Sequence, residues 1–193
     1  MNRFILSLLT LAILNIFTFS EVRDTCISSR VKKNPVTWDS VKIKLEKTSF
    51  ADMMVIFIHD TAVSTENLKT RLGQDYGELM RLLMANKLQP LKFLAWYYTN
   101  QPPWLMDVAV QTSTKPGTLD NPIQFRVVKG GEVLIAHMWG PYNHIGKAYS
   151  KIGIWLQENN RLPKGNPFEI YINDPSAVTS PDEIQTDLCQ PLE

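Results

Sequence analysis

The amino-acid sequence predicts an α+β domain made of two copies of one β-α-β-β unit, joined as a pseudo-twofold antiparallel sheet with two long helices. Three observations carry this. First, the chain repeats: Leu72–Pro90, LGQDYGELMRLLMANKLQP, maps onto Ile145–Pro163, IGKAYSKIGIWLQENNRLP, at a constant offset. Gly73 falls on Gly146, Tyr76 on Tyr149, Leu79 on Ile152, Asn86 on Asn159 and Pro90 on Pro163. Second, both copies carry apolar residues at helical spacing: Tyr76, Leu79, Leu82 and Leu83 in one, Tyr149, Ile152, Trp155 and Leu156 in the other. Third, each helix has an apolar strand candidate before it and two after it. The period is too long for a solenoid, which leaves a duplication inside one domain.

The elements follow in chain order. Val41–Lys47, VKIKLEK, alternates strictly and opens the first unit as a strand. Met53–His59 is the strand before the first helix, which the spacing places near 72–89. Phe93–Thr99 and Leu105–Gln111 are the two strands after it. Thr114–Asn121, TKPGTLDN, has linker composition. Phe125–Val128 opens the second unit, Val133–Met138 precedes the second helix near 144–160, and Phe168–Asn173 and Glu183–Leu188 close it. The domain thus spans 41–193, with units at about 41–112 and 123–189.

The segment before it reads differently. Arg3 leads into Phe4–Phe19, an uncharged apolar run broken only by Ser, Thr and Asn. This is the pattern of a secretory signal peptide over 1–20, with Thr18 and Ser20 placed for cleavage before Glu21. An uncleaved membrane anchor is the alternative, so the membrane enters only through this segment. Residues 21–40 form an extension. The expected location is the periplasm or the outside of the cell.

Composition sets limits on function. The chain has 20 basic and 19 acidic residues in 193, and no run of like charges, which argues against a nucleic-acid footprint. His59, His137 and His144 show no metal-binding spacing, and neither do the cysteines, so no metal and no cofactor is expected. A Gly-rich phosphate loop and a GxSxG nucleophile elbow are both absent. Cys26 and Cys189 lie near the two ends of the mature chain. In an oxidising compartment they could form a bridge; two unpaired thiols are the alternative.

The most informative stretch is Leu162–Pro175, LPKGNPFEIYINDP. Pro167 and Asp174-Pro175 bound a strand in which Phe168, Ile170 and Ile172 point one way and Glu169, Tyr171 and Asn173 the other. The first set reads as core. The second puts a carboxylate beside a phenol. Matching the units at Phe93 and Phe168 then brings Trp96 and Tyr98 to positions related to Tyr171 and Asn173, as an aromatic wall facing the acid. Aromatic walls and one carboxylate suit a flat cation. The alternatives are ordinary sheet packing for Trp96 and Tyr98, and a structural hydrogen bond for Glu169. Tyr149 and Trp155 lie on the helix stripe and read as core. Asp107 reads as a solvated strand residue or a second acid. Trp139-Gly140-Pro141-Tyr142 closes a strand, with Tyr142 able to reach a cleft mouth.

The string from Val133 to Pro175 resembles the second half of the GyrI-like small-molecule-binding domain, also the effector-binding module of some AraC- and MerR-type regulators. The matching parts are Gly140-Pro141-Tyr142, Trp155-Leu156, Pro167, Glu169-Ile170-Tyr171 and Asp174-Pro175, with a looser match in YYTNQPPWLMDVAV. The resemblance implies a cleft shared by the two units, with a buried acid as counter-charge for small cationic or aromatic molecules. Ligand-binding candidates are then Glu169, Tyr171, Trp96, Tyr98, Trp139 and Tyr142. Nothing like a helix-turn-helix precedes the domain, so the regulators' DNA-binding role does not transfer. Some stand-alone members resemble cyclopropanoid hydrolases, which makes Glu169 as general base and Tyr171 or Tyr142 as proton donor the enzymatic alternative. A SOUL-like haem or tetrapyrrole binder is a minor third reading.

Overall fold

A computed structural model describes residues 41–193. The expected leader, the extension and Cys26 lie outside the described residues. The chain runs through β1 (Lys42–Phe50), β2 (Met53–Ala62), α1 (Thr65–Ala85), β3 (Lys92–Tyr97) and β4 (Trp104–Thr112). It then repeats the pattern as β5 (Gln124–Val128), β6 (Gly131–Trp139), α2 (Ile145–Glu158), β7 (Phe168–Tyr171) and β8 (Gln185–Pro191). All eight strands form one sheet in the order β1-β6-β8-β7-β3-β4-β2-β5, and every pairing is antiparallel.

That order is its own mirror list. Exchanging the units maps β7 onto β3, β8 onto β4, β6 onto β2 and β1 onto β5, so a pseudo-twofold passes between β3 and β7, where Ala95 faces Glu169. Each opening strand crosses over: β1 pairs with β6 of the other unit, and β5 with β2. The unit is therefore β-β-α-β-β with its first strand exchanged, which ties the two halves into one sheet.

Helix α1 begins earlier than the apolar stripe implies, because polar capping starts it. Ser64 Oγ accepts from the Asn67 amide at 3.1 Å, and Asn67 Oδ1 accepts from the Val63 amide at 3.1 Å, a reciprocal cap. Both helices end on an asparagine, Asn86 and Asn159, whose side chains donate to the carbonyls four residues back, Leu82 and Trp155. This is what the repeated Asn does.

Both helices pack on one face of the sheet. Leu79 and Leu83 of α1 sit on Ile56, Ile58, Met106, Val108 and Val110. Ile152 and Ala148 of α2 sit on Leu134, Ala136, Met138 and Leu188. The opposite face buries a third cluster around Val55, Leu94, Trp96, Val133, Phe168 and Cys189, over which Phe50 and Val128 pack. Covering that face takes a close crossing of two turns. A Cβ on Gly130 would meet the Phe50 carbonyl oxygen at 2.3 Å, so glycine is required there.

Candidate functional site

Between α1 and α2, over β3 and β7, lies a cleft of about 1420 Å³, larger than the roughly 300–1,000 Å³ common for ligand pockets. Leu68, Leu72 and Tyr76 of α1 form one wall and Tyr149 of α2 stands on the other. The floor is sheet: Phe93 and Tyr97 from β3, Glu169 and Tyr171 from β7. No histidine lines it.

Alternation within β7 explains the floor. Phe168 and Ile170 belong to the back-face cluster, so Glu169 and Tyr171 must point toward the helices. Glu169 is only 3 % exposed. Its Oε1 accepts from the Tyr149 hydroxyl at 3.0 Å and its Oε2 from the Tyr171 hydroxyl at 2.9 Å. When Glu169 is ionised, Tyr171 donates its one proton to it and so accepts from Tyr97, whose hydroxyl lies 3.2 Å away. The order is Tyr97 to Tyr171 to Glu169, with Tyr149 joining from above. Burial pushes the Glu169 carboxyl up to about 7, against the two phenol bonds, which pull it down. The same burial holds Tyr97, Tyr149 and Tyr171 well above the ordinary phenol range, so they are neutral donors. Tyr142 lies in a short 3-10 turn after β6 and stands edge-on to Tyr171, with ring centroids 5.8 Å apart.

Three of the aromatic candidates lie elsewhere, wholly or in part. Trp96 is not in the cleft. It is 6 % exposed on the back face, stacked on Phe168 at 5.0 Å, with the Arg126 guanidinium 4.3 Å from its ring. Trp139 is not there either: Leu134, Ala136 and Met138 face α2, so residue 139 points to the back, beside His137 and under Lys42. Tyr98 borders the cleft mouth, but its hydroxyl turns away to Asp107 at 2.6 Å. The cause is a register error of one residue. The sheet pairs Ala95 with Glu169 across the pseudo-twofold, which matches Leu94 to Phe168 and Tyr97 to Tyr171. A slip of one flips every side chain to the other face.

Asp107 is neither solvated nor in the cleft. It is 2 % exposed on the back face, where it accepts from His59 at 2.7 Å, from Tyr98 and from Arg126. Its counterpart in the second unit, Asp187, holds His137 at 2.8 Å. Tyr97 and Tyr149, with Tyr76 and Phe93, are cleft residues that the sequence did not single out as such. Tyr149 lies on the apolar helix stripe and also reaches Glu169. Cys189 is buried behind the sheet. Among the described residues no group of three or more metal-ligating side chains comes together.

The model of the GyrI-like small molecule binding domain matches residues 45–193. Among solved structures, the C-terminal domain of EcmrR superposes with a TM-score of 0.68 at 17% identity, covering 78% of this chain and 98% of that one. EcmrR in its DNA complex gives the same TM-score at 18% identity, with 78% of this chain and 57% of that one covered, so the chain spans little more than half of that protein. A structure from Listeria innocua described as a hydrolase gives 0.59 at 12% identity, over 78% of this chain and 92% of that one. At these identities the likeness is one of fold. No curated protein sequence matches the chain.

Proposed function

The chain belongs to the GyrI-like small-molecule-binding domain family, and on that premise we propose that its cleft captures a flat, largely apolar cation with Glu169 as the counter-charge. The observation that carries this is the state of Glu169. It lies at the floor of an aromatic cleft, and its hydrogen-bond donors are phenols rather than cations. A carboxylate so placed is costly to ionise and holds its proton to near neutrality. A ligand cation supplies the missing charge, drives the proton off and stacks on Tyr142, Tyr76 and Tyr171. Export of the protein is part of this proposal and rests on the Phe4–Phe19 run.

Crystal violet and its neutral leuco form make a matched pair for calorimetry. Glu169→Gln keeps the shape and removes the charge. It should weaken the cation by about 1.5–3 kcal/mol, the scale of a charge-assisted hydrogen bond, and the neutral form by much less. Equal losses for both forms would remove Glu169 as the counter-charge.

One observation favours a second reading, hydrolysis of small reactive electrophiles. A carboxyl held near 7 is suited to general-base work at neutral pH, with Tyr171 as the adjoining proton donor. In that case Glu169→Gln abolishes turnover of an electrophile while its affinity stays nearly unchanged.

A further inference from the structure

A second buried acid lies under the first-unit wall of the cleft. Asp75 of α1 is 7 % exposed and faces Asp60 of β2 within hydrogen-bonding reach. Each carboxyl has a buried oxygen, its Oδ2, with no hydrogen-bond partner. The nearest cation, Arg71, approaches Asp60 Oδ2 no closer than 3.6 Å. A third buried polar atom without a partner, the Trp104 indole nitrogen, belongs to the same corner. Trp104 packs under α1, two residues from Met106, the strand partner of Asp60. Two carboxylates pressed together without a donor between them repel; a proton on Asp75 removes that repulsion, leaves a single negative charge and supplies the missing donor.

The fold does not need this pair, and the other half of the molecule shows it. The pseudo-twofold maps His59–Asp107 onto His137–Asp187, which carries Asp60 onto Met138. The helix repeat carries Asp75 onto Ala148. Met138 and Ala148 are fully buried and apolar, and they seat α2 without any ionisable group. A well-packed apolar pair is commonly as stable as buried charge or more so, so the acids in the first half are there for what they do.

We propose that the Asp60–Asp75 pair is a proton-operated latch: it seats α1 on the sheet while Asp75 holds a proton and donates it to Asp60, and loosens that helix when the proton leaves. Since Leu68, Leu72 and Tyr76 of α1 form a wall of the cleft, the latch sets how readily that wall opens. The latch draws on the cleft reading only for this consequence.

The surroundings fix the range. On α1 the charged neighbours are Arg71, which favours ionisation, and Glu78, which opposes it. On β2 the acid facing the helix is Asp60. The other strand under α1, β4, presents Trp104, Met106, Val108 and Val110 there, none of them titratable. Burial first, then Asp60, pushes the Asp75 carboxyl up to about 7 from an ordinary 3.8. The folded pKa is raised, so the seating is firmest below about pH 4 and is lost as pH rises through 7.

Amide hydrogen exchange on the full chain tests this without ligand. The Glu169→Gln background removes the other near-neutral acid, and α2 serves as the internal reference. Between pH 5.5 and 7.5, corrected for intrinsic rates, protection in α1 should fall at least about tenfold more than in α2, since each pH unit below the folded pKa counts roughly tenfold. Asp75→Asn should abolish that difference. The double change Asp60→Met with Asp75→Ala, which installs the second half's pair, should do the same and decides the matter if the Asn variant does not fold. Parallel loss of protection in α1 and α2, or a difference that persists without Asp75, overturns the latch. Neither result bears on whether the cleft takes cations.

Discussion

In the second half of the sheet, Glu169 on β7 receives Tyr149 from the helix above and Tyr171 from its own strand. Across the pseudo-twofold the equivalent position is Ala95, and Tyr76, the counterpart of Tyr149, turns its hydroxyl to the Leu94 carbonyl at 2.8 Å instead. The helix seats differ in the opposite sense, with Asp60 of β2 against Asp75 of α1, and Met138 of β6 with Ala148 of α2. Duplication leaves each position with a counterpart that shows what the fold alone requires. Where the halves agree, as at the asparagine helix ends and the His–Asp pairs, the residues serve architecture. Where they differ, a buried acid has been placed in a frame that stands without it. The cleft is therefore asymmetric, with its buried acid on the β7 side of an otherwise aromatic floor.

The largest expected effect breaks or confirms the division into faces. Trp96→Ala removes a ring stacked between Phe168 and Arg126 on the back of the sheet. Chemical denaturation should show a loss of about 3–5 kcal/mol, while crystal violet affinity per folded molecule stays the same. A selective loss of affinity would return Trp96 to the cleft.

Each half holds a buried acid that responds to pH. The Glu169 carboxyl is raised in the folded state from 4.5 to about 7, so its contribution to stability is complete below about pH 4.5 and is lost as pH rises to 7. Unfolding of the ligand-free protein should show a decline of up to about 3 kcal/mol across that window from this group. Glu169→Gln should flatten its share, leaving that of Asp75. Ala95→Gln, on the other half, should leave the slope intact.

A smaller effect concerns α1 alone. Ser64→Ala removes the reciprocal cap and should cost about 1 kcal/mol, read as a shift in denaturant midpoint with unchanged slope. The start of α2, where His144 makes no side-chain cap, offers no comparable target.

Much of this was legible in the chain. The duplication, the helices and most strands follow from Gly73/Gly146, Tyr76/Tyr149 and the apolar stripes, because helix periodicity and repeat offset reinforce each other. The face carrying Glu169 and Tyr171 was legible too, since alternation inside one strand needs no knowledge of its neighbours. The relation between strands was not. The helices repeat at one offset and the strand after each helix at another, longer by a single residue, and Phe93 matches Phe168 in chemistry while facing the other way. Trp96 and Tyr98 were misplaced for that reason, and Tyr97 was hidden. The exchange of β1 and β5 between units leaves no local trace, because it depends on pairing alone. Asp107 looked solvated because its partners, His59, Tyr98 and Arg126, come from β2, from just past β3 and from β5, which only the sheet pairing brings beside it.

On the proposed reading, Glu169 gives up a proton to hold a cation. Calorimetry of crystal violet binding at pH 6, repeated in buffers of different ionisation enthalpy, counts that proton directly. With the carboxyl at about 7, nearly one proton should be released per cation bound, against none for the leuco form and none in Glu169→Gln. Tight cation binding with no proton released, or with the same release in the Gln variant, would contradict it.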